Sequence, residues 1–204
     1  MIKLKDIKML PQHPGSGNLL SHELESERFQ KILKNIPPSE EKMVMIELGC
    51  FWSLWSIIFG KTFNNHKVIV IDGDIDKLNV GVKNLTNNDI NFNYYNNTIY
   101  SETSEFTFND NIENISINFL MESEKIKKAH VIHMDIQGSE ISLYDEMFEK
   151  LSLNIVENVV IATHSENIHN EILNKMKKLN SHTISDIPFK KGKYDGEIIV
   201  QKKY

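Results

Sequence analysis

Along this chain, short apolar runs alternate with longer stretches in which apolar residues recur every three or four positions. Runs of four to eight apolar residues bounded by turn formers predict buried strands. Stretches of ten or more with helical spacing predict amphipathic helices. From residue 43 onward the two alternate: strand 43–48, helix 53–63, strand 68–71, helix 74–88. The segment 91–108, rich in Tyr, Phe, Thr and Asn, predicts a third strand and a short additional one. Then come a helix at 115–128, a strand at 130–135, a helix at 139–151, a strand at 156–163 and a helix at 165–179. The chain ends on two strands, 183–187 and 197–200, around Gly192 and Gly196. Ahead of all this, Pro11, Pro14, Gly15 and Gly17 punctuate a segment that continues as a helix over 21–35 and breaks at Pro37 and Pro38.

Strands separated by helices of this length pair in parallel, because the crossover needs a dozen or more residues, and both faces of the sheet are then covered. Two final strands joined by a loop predict an antiparallel edge. The expected architecture is α/β: a mostly parallel seven-stranded sheet with an antiparallel C-terminal edge and helices on both faces. Residues 1–42 read as an N-terminal extension with one helix, and 43–204 as the domain.

Composition narrows the partners. With 204 residues, 40% hydrophobic and 25% charged, the chain suits one globular core. A net charge of -5 gives no broad positive field, so nucleic acid is not an expected partner. The Lys-rich stretches 124–128 and 175–178 fall in helical patterns and read as solvated faces. The single cysteine, Cys50, excludes an intramolecular disulfide and a cysteine metal cluster, and it fits a reducing compartment. No run of 18 apolar residues occurs and residues 1–10 lack the apolar stretch of a signal peptide, so a cytoplasmic protein with no integral membrane segment is expected.

In open parallel sheets, ligands bind beyond the carboxyl ends of the strands, near the point where strand order reverses. After the first strand stands Glu47-Leu48-Gly49-Cys50-Phe51-Trp52-Ser53. Gly49 permits a tight turn, and the helix that follows offers amide donors to an anionic group such as a ligand carboxylate. After the second strand stands Asp72-Gly73-Asp74, with Asp72 25 residues beyond Glu47, placed to accept hydrogen bonds from a ribose diol. Helix capping competes for both aspartates, more strongly for Asp74, and bonding to loop amides competes for Glu47. The fourth strand runs out through His133, Asp135, Gln137 and Glu140, the fifth through Thr163, His164 and Ser165. Asp135, Glu140, His164 and His169 therefore converge on one edge. Against this stand a helix-cap role for Ser165 and Glu140, a surface role for His169, and an ordinary strand role for His133. Asp135, Glu140 and His164 are hard or borderline ligands able to hold Mg²⁺ or Mn²⁺, and equally able to work as an acid/base group without metal.

The segments MIELGCFWSLWS, VIVIDGDIDKLNVGVKN, VIHMDIQGSE, VVIATHSENIH and DGEIIVQ resemble the FkbM family of methyltransferases, over residues 43–202. The resemblance implies a Rossmann-like methyltransferase fold and methyl transfer from S-adenosylmethionine to an oxygen, commonly on a sugar or small metabolite. It implies Glu47, Gly49, Phe51 and Trp52 at the cofactor turn and Asp72, Gly73 and Asp74 at the ribose. It also implies a hydroxyl acceptor, for which His164 is the expected general base, oriented or charge-balanced by Asp135, because imidazole titrates nearest neutrality. Two departures stand out. Gln137 replaces the first glutamate of an Asp-x-Glu-Gly-x-Glu signature, and Phe51 and Ser53 replace further glycines of the turn. The altered turn keeps a second class open, a Rossmann-like cofactor-binding module that has lost catalysis. An NAD-dependent oxidoreductase is disfavoured, since no G-x-G-x-x-G follows the first strand. Acceptor pockets are built from loops, so the acceptor is set by segments such as 11–42 and 91–112 rather than by these motifs.

Overall fold

The computed structural model of the chain describes residues 1–10, 22–37, 39–100, 114–137, 140–176, 181–191 and 195–202. Nine strands and six α-helices are found among them, after a short 3₁₀ turn at Leu4–Asp6. The helices are α1 (Glu23–Asn35), α2 (Leu54–Thr62), α3 (Ile75–Asn87), α4 (Ile117–Ser123), α5 (Glu140–Ser152) and α6 (Glu166–Met176). The strands are β1 (Met43–Leu48), β2 (His66–Ile71), β3 (Phe92–Tyr95), β4 (Thr98–Tyr100), β5 (Asn114–Ser116), β6 (Val131–Met134), β7 (Asn158–Thr163), β8 (Ser181–Ile187) and β9 (Gly196–Lys202).

Seven strands form one sheet in the order β3-β2-β1-β6-β7-β9-β8, and β4 and β5 pair separately. Pairings from β3 through β7 are parallel, while β7–β9 and β8–β9 are antiparallel. Counted along the chain, the seven run 3-2-1-4-5-7-6 across the sheet, so the order reverses between β1 and β6.

All six residues of β1 are buried, as a central strand covered on both faces requires. Alternation sorts the sheet's side chains. Ile46, Leu48, Ile69, Ile71, Ile132, Met134 and Val159 pack with Leu143 and Met147 of α5 and Ile172 of α6. Met45, Val68, Val70, Val131 and Val160 pack on the other face with α2 (Ile57, Ile58), α3 (Leu78, Leu85) and α1 (Phe29, Ile32, Leu33). Leu4 and Ile7 join this second layer, so the segment ahead of β1 is built into the core.

Several boundaries differ by one or more residues from those the pattern predicts. The helix expected at 115–128 starts later, because Ser116 ends strand β5 and caps α4, its hydroxyl accepting from Phe119 N at 3.1 Å. It ends earlier, where Lys125 takes φ 54. The second strand begins two residues sooner, at His66. Residues 11–21, 101–113, Gly138, Ser139 and Gly192, which carry part of the predicted pattern, lie outside the described residues.

Candidate active site

The carboxyl ends of β1, β2, β6 and β7 share one edge, and the turn after β1 sits at the reversal point. Gly49 takes φ 74 there, and a Cβ on it would overlap the Asp135 carbonyl oxygen and lie 2.7 Å from its carbon. The N–H groups of Gly49 and Cys50 donate to Ile71 O at 2.9 and 3.2 Å, and Phe51 N–H donates to Asp72 Oδ2 at 3.2 Å. Phe51 and Ser53 have φ 31 and φ 53, so where glycine is absent the left-handed backbone is kept. Such a conformation costs a side-chain-bearing residue about 1 kcal/mol or more and persists only where the surroundings impose it.

Part of that imposition comes from α3. A Cβ on Gly81 would lie 2.8 Å from Phe51 O and 2.5 Å from Ser53 Oγ, so the helix presses directly on the turn. Asn84, one turn further on, donates to Trp52 O at 3.1 Å and accepts from Leu10 N at 2.8 Å. The half-buried rings of Phe51 and Trp52 stack with centroids 5.2 Å apart, and His22 meets Trp52 edge-on at 5.7 Å.

Glu47 lies beneath the turn, 1% exposed, and accepts from Ser56 N–H at 3.2 Å and from the Ser56 hydroxyl. Burial pushes its carboxyl up to about 8 against the Ser56 bonds, with Asp135 and Asp72 adding to the rise, so it is largely protonated at neutral pH. Asp72 is half-buried; its second oxygen, Oδ1, accepts from Asp74 N at 2.9 Å. Burial raises its pKa although both backbone bonds oppose it. A carboxylate has about four acceptor sites, so two bonds leave room for a diol. Asp74 caps α3, accepting from Asp76 N at 3.0 Å and Lys77 N at 3.3 Å, which is the competing role weighed for it from the sequence. A Cβ on Gly73 would lie 2.7 Å from Thr98 Cγ2.

On the β6–β7 side the structure brings Asp135, Glu140 and His164 together. His164 Nδ1 is 2.8 Å from Glu140 Oε1, and Nε2 is 3.1 Å from Asp135 Oδ1 and 3.9 Å from Asp195 Oδ2. Burial opposes charge on His164, but the bonds to Asp135 and Glu140 outweigh it and carry the imidazole to about 10. It is an imidazolium at neutral pH, and a base only once that proton has left. Burial acts to raise Asp135, yet the bond from His164 holds its carboxyl below the usual range. Gln137, with φ 55, places its amide nitrogen 2.9 Å from Asp135 Oδ1 and 3.0 Å from His164 Nε2. Among the described residues no group of three His, Cys, Asp or Glu is arranged to hold a metal ion. Both ring nitrogens of His164 face carboxylates instead.

His169 does not join this group. It is 3% exposed, bonded to Thr163 Oγ1 at 2.8 Å and Asp186 Oδ1 at 2.9 Å, and it ties α6 to β7 and β8. His133 is buried on the α2 side with Trp55 at 5.4 Å, and burial lowers it to about 4. Asp195, Gly81 and His22 were not singled out from the sequence, and Gln137 stood out there only as a departure from the acidic signature. Gly81 left a faint signal, a small residue between Leu78 and Leu85 on the apolar stripe of α3.

The strand order and the turn at the reversal point define the Rossmann-like methyltransferase fold. No protein-family model and no curated protein matches the sequence. Among solved structures, the METTL16 MTase domain has a TM-score of 0.65 at 10% identity, covering 98% of this chain and 76% of that one. Precorrin-6y C5,15-methyltransferase from Geobacter metallireducens GS-15 has 0.58 at 9%, covering 98% and 95%. A methyltransferase from Pyrococcus furiosus has 0.53 at 19%, covering 96% and 89%. Among the described residues no helix is long and apolar enough to cross a membrane.

Proposed function

We propose that this chain is an S-adenosylmethionine-dependent methyltransferase acting on a hydroxyl of a sugar, glycan or small metabolite. The observation that carries the reading is the turn Gly49–Ser53, left-handed at three positions although two of them are not glycine. A backbone held in that shape by α3, Asp72 and Asp135 suits a cofactor cradle, and the close approach of the turn to Asp135 and to α3 depends on the absence of a Cβ at Gly49 and Gly81. The donor set fits the cofactor: Asp72 offers acceptors to the ribose hydroxyls, and the Phe51 and Trp52 rings flank the turn. Bound there, S-adenosylmethionine supplies an electrophilic methyl group. The hydroxyl acceptor follows from the resemblance of the strand-end segments to the FkbM family, and the net charge of -5 speaks against nucleic acid.

The remaining chemistry belongs to the chain. Asp135, ionised and part-exposed, accepts the hydrogen bond of an incoming hydroxyl. His164 takes the hydroxyl proton from the fraction of molecules in which Nε2 is free, while Glu140 keeps Nδ1 protonated and the ring oriented. Calorimetric titration with S-adenosylmethionine and with NAD tests the reading; no heat with the former at millimolar concentration overturns it. The stacked Phe51 and Trp52 rings beside the turn favour one second reading, a module that binds the cofactor without turnover. Binding without demethylated product, across a panel of hydroxylated acceptors, would mark that case.

A further inference from the structure

His164 is faced by proton-exchanging groups from three directions. Glu140 of α5 meets Nδ1 at 2.8 Å, Asp135 beyond β6 meets Nε2 at 3.1 Å, and Asp195 ahead of β9 stands 3.9 Å from Nε2. Gln137 is a fourth neighbour, and it does not titrate. Its nitrogen, Asp135 Oδ1 and His164 Nε2 form a triangle with sides of 2.9, 3.0 and 3.1 Å. Only the NH₂ end of an amide can face a carboxylate favourably, so the contact with Asp135 fixes which end of Gln137 points inward. Its backbone, at φ 55, is in a region that side-chain-bearing residues rarely adopt, and such outliers persist where the surroundings impose them.

Protons can be counted around this triangle. With His164 as an imidazolium, Nε2–H donates to Asp135 and Gln137 donates to the same carboxylate; the Gln137–His164 contact then sets donor against donor. With Nε2 deprotonated, its lone pair faces the carboxylate's lone pairs. Among the described residues, the donor against it is then the second N–H of Gln137. We propose that Gln137 is a positioning residue that holds His164 through proton loss, donating to Nε2 whenever that nitrogen is bare. Two effects act in the same direction. Gln137 gives the neutral imidazole a partner, and by sharing Asp135 it makes that carboxylate a weaker holder of the histidine's proton. A side chain that would otherwise be locked in an ion pair can thus release its proton and take it up again. The inference concerns the proton on His164 and stands whichever ligand the site receives, so its failure and that of the methyl-transfer reading are separate results.

The test is an NMR titration of protein labelled with ¹⁵N-histidine, as wild type, Gln137→Leu and Gln137→Gly. The glycine variant keeps the left-handed backbone and removes only the side chain, so it decides the matter if the leucine variant is misfolded by circular dichroism. The series is repeated with Glu140→Gln, which removes one carboxylate and brings the titration of His164 down into an easily reached range. Losing Gln137 should raise the pKa of His164 by about one unit, a tenfold tighter hold on the proton, in both backgrounds, with His66 unmoved. An unchanged or lowered value in Gln137→Gly, as when water takes over the amide's place, overturns the proposal. A rise in Gln137→Leu alone also counts against it, as an effect of backbone strain.

Discussion

Asp72 has two duties that a single substitution removes together. It would accept from the ribose, and it already accepts from Phe51 N–H, fixing the turn to β2. Asp72→Ala should weaken S-adenosylmethionine binding by about 1.5 to 3 kcal/mol, the range for charge-assisted bonds, as read by calorimetry. Unchanged affinity would remove the ribose role. His164→Ala should lower turnover by roughly 10² to 10⁴ with cofactor affinity nearly constant. It should also destabilise the fold, since Glu140 would be left fully buried without its cationic partner. The raised pKa makes its own prediction in the intact protein: activity should climb with pH through the neutral range, towards about 10, as free imidazole accumulates. A flat profile would dismiss the base role. For Glu47 the consequence lies in stability. Its pKa is about 8 when folded and near 4.5 when unfolded, so the folded state keeps a proton the unfolded state has lost. That contribution is full below about 4.5 and is lost as pH rises through about 8. Glu47→Gln, which cannot ionise, should therefore gain on the wild type in urea denaturation as pH goes from 5 to 9. A constant difference would show that Glu47 is not held protonated.

At the scale of elements, the turn and α3 act as one unit. Gly49→Val and Gly81→Val should each abolish cofactor binding while leaving a folded circular dichroism spectrum, the first by overlap with Asp135 O, the second by pushing α3 off Phe51 and Ser53. Normal binding in Gly81→Val would separate the helix from the turn. The contrast between these glycines shows what was legible beforehand. Gly49 could be read because it follows a buried apolar run, and Asp72 because it ends the next one; strand ends are visible in sequence and parallel sheets put ligands there. Gly81 and His22 act through approaches between distant elements, which no local pattern records; Gln137 was visible as a departure from the signature, but its approach to His164, 27 positions away, was not. The alternation of strands and helices was likewise readable, whereas β5 was not. Among the described residues its three positions pair with β4 alone, too short a run for any period to emerge. His169 read either as a member of the group at the strand edge or as a surface helix residue, and neither showed its burial, which depends on Thr163 and Asp186, contacts made across β7 and β8.

At the scale of the molecule, the segment ahead of β1 is tied to elements far along the chain. Leu10 is hydrogen-bonded to Asn84, 74 positions away, Lys8 to Asn88, 80 positions away, and Arg28 to Glu197, 169 positions away. The apolar stripe of α1, with Phe29, Ile32 and Leu33, packs into a layer completed by Ile199 of β9. These separations govern the order of events during synthesis. Contacts of such span must wait until late residues emerge, and they slow folding by the entropy of the loops they close. Helix α1 therefore stays without its full set of partners until β9 has been made, its apolar stripe open to chaperones or to neighbouring chains. Ribosome-bound chains arrested with β9 still in the exit tunnel should be cut by protease within α1, and released chains should resist; equal resistance would mean that α1 docks on α2 and β1 alone.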